Sequence, residues 1–214
     1  MTSTELVLVR HASSTRRDLG IWGRRYDARL ARGFEKQLDH SRRYVSAIEN
    51  FVLASSPLRR CLETARFIAP NHHIEVIGEL TAYHSGEMEE LRESDIAAQY
   101  PGYLELSFAE RFERPEFCEE SLAQQANRVA RGLTLLLRFA ADANVRSIVA
   151  VAHYSSINVI GHMATNNWNV QTYGSGVFDL ADGEFLRISV DASFLRRQLR
   201  DFDDGKEVSL NGVN

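Results

Sequence analysis

Leu6-Val7-Leu8-Val9 is an apolar run of four residues with no polar alternation. A run of this kind reads as a strand buried on both faces, and such strands belong to parallel sheets covered by helices. Phe51-Val52-Leu53-Ala54 and Ser147-Ile148-Val149-Ala150-Val151-Ala152 repeat the pattern, and Ile74-Glu75-Val76-Ile77 is a shorter strand. Amphipathic stretches between them predict helices over residues 30–49, 58–69, 120–141 and 157–165, with a last one over 194–202. Residues 177–180 and 185–190 read as a hairpin turning at Asp182-Gly183. Strands alternating with helices define the α/β class, as a three-layer α/β/α sandwich with a mainly parallel sheet.

The chain has 214 residues, 44% of them hydrophobic, enough for one domain with a full core. Residues 1–202 are expected to form it. Residues 83–118 make an aromatic-rich lid or insertion, and 203–214 a polar, disordered tail. The net charge of −4 gives no basic excess of the sort nucleic acid demands. No apolar run approaches the roughly 18 residues that a membrane span needs. The chain enters its first strand within a few residues of Met1, so no leader is expected. Cys61 and Cys118 have neither metal-like nor framework spacing, which suits reduced thiols and a cytoplasmic protein.

The strand ends carry the chemistry. The first delivers Arg10 and His11, the second leads to Arg59 and Arg60, and the long central one ends at His153. Parallel strands align their carboxyl ends along one edge, where ligands bind in open α/β sheets. Taken singly, each residue reads as a solvated strand end. Together, two arginines and two histidines make an anion site, because the guanidinium fork matches phosphate oxygens. A neutral imidazole can attack phosphorus while a second, protonated one stabilises the equatorial charge. The wealth of arginine, and the lack of carboxylates beside the histidines, argue against a metal centre. No cofactor is called for.

These segments resemble the histidine phosphatase superfamily, the phosphoglycerate mutase-like family, over roughly residues 5–190. Leu8-Val9-Arg10-His11 is similar to its Arg-His-Gly signature. Asp27-Ala28-Arg29-Leu30, with Gly33 and Gln37, resembles a second family stretch. Ser55-Ser56-Pro57-Leu58-Arg59-Arg60-Cys61-Leu62-Glu63-Thr64-Ala65 resembles a third, which selects Arg60 over Arg59. Glu120-Ser121-Leu122 with Arg128, and Val151-Ala152-His153, complete the order. The resemblance implies a phosphoglycerate mutase-like fold and a phosphomonoesterase acting on a small phosphorylated metabolite. His11 would be the phosphorylated nucleophile, with Arg10, Arg60 and His153 binding the phosphoryl group. It further implies substrate contacts from Ser14 and Arg17, with Tyr154 narrowing the pocket. A mutase-like phosphotransferase and a catalytically impaired phospholigand binder stand as alternatives. Neither nucleic acid nor membrane is an expected partner, and a homodimer stays open.

Three positions depart from the family pattern. Ala12 and Tyr154 stand where glycines are usual, which is tolerable where φ is negative. At the third, Leu80-Thr81-Ala82 with Gly86 and Glu89 aligns without a gap, and the family's proton donor falls on Ala82. Three explanations remain: an engineered removal of the acid, a substitute carboxylate (Glu79 first, then Asp18 or Glu35), or chemistry that needs no acid.

Overall fold

In a computed structural model, residues 3–106, 110, 117, 119–165 and 178–203 are described. Strand β1 spans Ser3–Arg10 and is followed by a single helical turn, α1 (Thr15–Asp18). Helix α2 (Phe34–Ser46) leads to β2 (Val52–Ser55), α3 (Arg59–Ile68) and β3 (Ile74–Val76). Two 3-10 turns, Gly78–Leu80 and Gly86–Met88, precede α4 (Glu93–Gln99). Helix α5 (Leu122–Asp142), β4 (Ser147–Ala152), α6 (Tyr154–Ala164), β5 (Phe185–Asp191) and α7 (Ala192–Asp203) complete the order.

The strand order is β3-β2-β4-β1-β5, parallel except for β5, which runs antiparallel to β1 at the edge. Side chains alternate across the central strands and feed two cores. Leu6, Leu8, Ile148 and Ala150 pack with α5, α6 and α7 on one face. Val7, Val9, Leu53, Val149 and Val151 pack with α2 and α3 on the other. Each fully buried Leu or Val contributes about 1.5–3 kcal/mol from burial, and both faces of β1 and β4 collect it. This is the three-layer α/β/α sandwich that the apolar runs demand. A third, smaller cluster of Met88, Ile96 and Tyr103 has Trp22, Tyr100 and Phe117 packed against it.

Several boundaries differ from the sequence reading. Helix α2 starts four residues late because Gly33 takes a left-handed φ of 80° at its N-cap. Helix α6 starts three residues early, with His153 itself as N-cap. The expected hairpin does not form. Residues 178–180 make no strand, because Asn158 of α6 binds both the N–H and the carbonyl of Phe178. Residue 177, Cys118, Phe108, Phe112 and the tail beyond Asp203 lie outside the described residues. Among the described residues no helix is long and apolar enough to cross a membrane.

Candidate active site

The register sets the site. Arg10 pairs with Ala152 and Ser55 with Val151, so His11 and His153 leave adjacent strands side by side, with Ser56 next to them. The two imidazole centroids lie 5.1 Å apart, nearly edge to face. Helix α3 begins beyond Ser56 and sends Arg60, only 2% exposed, beneath both rings. Around this group a cavity of about 430 Å³ is lined by Arg10, His11, Ser14, Arg16, Arg17, Arg24, Arg60, Ala82, Tyr83, His153, Tyr154, Ser155 and Asp182.

Hydrogen bonding fixes both tautomers. Arg60 can only donate, and its Nε lies 3.1 Å from His11 Nε2. The Ala12 carbonyl can only accept, and it lies 2.7 Å from His11 Nδ1. His11 therefore carries its proton on Nδ1 and its lone pair on Nε2. Arg60 Nη2 donates to His153 Nδ1 at 3.2 Å, so His153 carries its proton on Nε2, which meets the Ser56 hydroxyl at 2.9 Å. Burial, and then the charge of Arg60, hold both imidazoles well below their ordinary pKa. Both are neutral at pH 7: a nitrogen nucleophile requires this of His11, whereas for His153 it departs from the protonated ring expected from sequence, because burial and the charge of Arg60 oppose a second cation there. Arg60 also donates to the carbonyls of Tyr26 and Arg24.

Arg10 faces Asp182 Oδ1 at 2.6 Å, donates to the Leu180 carbonyl, and stands 5.2 Å over the Tyr154 ring. Asp182 also meets Arg17 at 3.1 Å and accepts from the Ser13 hydroxyl at 2.7 Å. The turn that presents it depends on Gly183, at φ 85°, where a Cβ would press on the Gln37 carbonyl. Asp182 was missed because Asp-Gly reads as turn punctuation. The available signal was a carboxylate in a loop returning to the end of β1.

All the residues expected from sequence to act on substrate line this cavity: Arg10, His11, Ser14, Arg17, Arg60, His153 and Tyr154. Arg59 does not; it pairs with Glu63 at 2.7 Å. Ser56 pairs with His153, and Leu58 holds the N-cap position of α3. Asp27 accepts from the Arg59 N–H and Gln37 from the Ser13 N–H, so both brace backbone around the site. Ala12 and Tyr154 keep negative φ. Cys61 lies 3.5 Å from His153 Nε2, and burial pushes its thiol up to about 12, which leaves it inert.

Ala82 lines the cavity, but none of its proposed substitutes does. Glu79 lies against Gly132 of α5, while Asp18 and Glu35 are exposed. The wall that carries Ala82 is pinned from behind. Glu120 receives Arg128 through two bonds of 2.7 Å, and Arg128 Nη1 donates to the carbonyls of Glu79 and Thr81. Arg25 Nε donates to the carbonyl of Ala82 itself. His84 opens onto a separate hollow with Arg25, Glu119, Glu120 and Gln124. Among the described residues no group of His, Cys, Asp or Glu is gathered to hold a metal ion.

Two neutral imidazoles bridged by a buried guanidinium, in a cationic cavity at the carboxyl edge of a mainly parallel sheet, are suited to receive an anion. The family model for the histidine phosphatase superfamily (branch 1) matches residues 6–186, so the chain belongs to that superfamily and is a phosphatase. None of the curated proteins compared with it matches in sequence. Solved structures do match in fold. Mycobacterial glucosyl-3-phosphoglycerate phosphatase is 19% identical, with a TM-score of 0.70 over 87% of this chain and 90% of that one. The alpha-ribazole phosphatase of Shigella flexneri is 17% identical, with a TM-score of 0.71 over 87% and 91%. A mutant phosphoserine phosphatase of Entamoeba histolytica, in complex with phosphoserine, is 19% identical, with a TM-score of 0.65 over 89% and 94%.

Proposed function

We propose that this phosphatase removes a phosphoryl group from a small phosphorylated metabolite through a phosphohistidine on His11. The observation that carries the reading is the tautomer of His11. Its Nδ1 proton is tied to the Ala12 carbonyl, which leaves the Nε2 lone pair beside Arg60 in the cavity. An entering phosphoryl group replaces His11 and His153 as the partner of Arg60. Nε2 then attacks phosphorus, the P–O bond to the leaving group breaks, and Arg10 and Arg60 hold the equatorial oxygens; His153 joins them when its proton sits on Nδ1 and the Ser56 hydroxyl donates to Nε2. Water next attacks the phosphohistidine, which returns the electron pair to Nε2 and releases phosphate. Ser14 and the N-terminal end of α6 at Tyr154 and Ser155 border the same space and suit an anion. The monoester phosphatases that share the fold support a small soluble substrate.

Rapid quenching with p-nitrophenyl phosphate, followed by intact mass measurement, tests this. One phosphoryl group should appear on the wild-type chain, be lost in acid, and be absent from His11→Ala. Equal labelling of His11→Ala would overturn the assignment.

A further inference from the structure

One carboxylate gathers three side chains from residues 10–17. Asp182 Oδ1 lies 2.6 Å from Arg10 Nη2, and Oδ2 lies 3.1 Å from Arg17 Nη1 and accepts from the Ser13 hydroxyl at 2.7 Å. The Asp182 and Arg10 side chains are 10% and 17% exposed, so this pair is largely shielded from water. Arg17 is 61% exposed, and its share of the pairing is correspondingly weak. Burial lowers the Arg10 pKa, and Asp182 is the largest charge opposing that.

The loop that carries Asp182 is fastened to the strand end it serves. The Arg10 N–H donates to the Glu184 carbonyl at 2.8 Å, and the Gly183 N–H reaches the carbonyls of Arg10 and His11 at 3.2 and 3.3 Å. The buried Ser41 hydroxyl donates to the Gly183 carbonyl at 2.6 Å. From this fixed loop the Leu180 carbonyl takes Arg10 Nη1 while Asp182 faces Nη2. Both terminal nitrogens of the fork are therefore held from one side. An arginine side chain is long and flexible, and a partner already in place removes that freedom before substrate arrives.

We propose that Asp182 is a positioning residue: it holds the Arg10 guanidinium where it meets the phosphoryl group in the transition state. The inference rests on the phosphohistidine reading above. Asp182 takes no part in the bonds made and broken; its effect passes through Arg10. Removing it has two opposed consequences. The cavity becomes more positive, which favours an anion in the ground state. The guanidinium loses its aim, which costs transition-state stabilisation. A positioning role thus shows as a slower chemical step with no matching loss of phosphate binding.

The test follows the rate at which p-nitrophenyl phosphate phosphorylates His11, by rapid quenching and intact mass, with inhibition by inorganic phosphate measured alongside. Asp182→Ala should slow phosphorylation by about 10–100-fold, while the inhibition constant for phosphate stays within about three-fold or tightens. Asp182→Asn keeps the size of the side chain and an acceptor for Ser13, so it carries the test even where Asp182→Ala fails to fold. It should slow phosphorylation by about ten-fold, through loss of the charged partner. In an Arg10→Ala background, Asp182→Asn should cost less than about two-fold more, since the group it acts on is gone. Equal losses from Asp182→Asn with and without Arg10 would overturn the inference, because Asp182 would then act elsewhere. So would an unchanged or faster rate with Arg10 present, the mark of a mere counter-ion. So would phosphate inhibition weakened in step with the rate, the mark of a disordered loop. An unlabelled His11 in the wild-type chain would instead overturn the phosphohistidine reading, and this inference with it.

Discussion

Arg128→Ala removes the clamp behind the cavity wall. Its guanidinium makes two bonds of 2.7 Å to Glu120 and reaches the carbonyls of Glu79 at 2.6 Å and Thr81 at 2.9 Å. The two side chains are 14% and 9% exposed, so water replaces little of this. Breaking a buried pair by deleting one partner costs about 3–5 kcal/mol, because the other charge is left behind. Some partners remain. Glu120 keeps the His84 N–H at 3.2 Å and Arg25 at 3.4 Å, while Thr81 keeps the Ser156 hydroxyl. They place the expected cost at the lower end, about 3 kcal/mol. For a chain of this size that is a fall in Tm of about 6–12 °C. Arg128→Lys keeps the charge but not the paired fork, and should lose about half as much. Urea denaturation followed by circular dichroism, with thermal melts alongside, measures both variants. A loss under about 1 kcal/mol for Arg128→Ala is the value of an exposed pair; it would refute the claim that this network holds the wall.

Two further predictions follow from the site. The fold depresses the pKa of His11 and His153, so the unfolded chain binds more protons between the folded values and the ordinary 6.5. The stability they contribute is full above pH 6.5 and is lost as pH falls below it, by about 1 kcal/mol per histidine between pH 6.5 and 5.5. Urea midpoints across that range should fall more steeply for the wild-type chain than for a His11→Asn, His153→Asn double variant; parallel curves would contradict the sign. Gly23→Ala should unfold or rearrange the loop at 21–25, because an added Cβ would collide with the backbone carbonyl of Glu89. Proteolysis within that loop should accelerate, and unchanged cleavage would show that the two segments separate easily.

The strand ends were legible because burial on both faces leaves only one solution for a short apolar run, and parallel pairing then aligns the ends. That argument brought Arg10, His11, Arg60 and His153 to one edge without any knowledge of side-chain direction. Where direction mattered, sequence proximity misled. Glu79 stands three residues before Ala82, yet the 3-10 turn at Gly78–Leu80 sends it onto α5, where Gly132 leaves room. Nothing in the sequence around Ser56 points to His153; the neighbouring strand makes them partners. Asp182 was hidden in a turn signature, since a pattern of turn residues describes backbone and says nothing of which carboxylate an arginine from another strand will meet. The absence of an acid at position 82 was legible by alignment alone, but the wall that carries it became visible only with Arg128 and Glu120 in place.

The bonds of Arg60 bear on how the site turns over. In the resting molecule this guanidinium is already engaged by two imidazole nitrogens and the carbonyls of Arg24 and Tyr26. An arriving anion meets a closed circuit and must exchange bonds, so the net gain on binding is smaller than the number of contacts suggests. When product phosphate leaves, the circuit closes again behind it. On the proposed mechanism the pocket carries its own internal competitor for the anion, an arrangement that would weaken the hold on product and favour repeated cycles over tight retention.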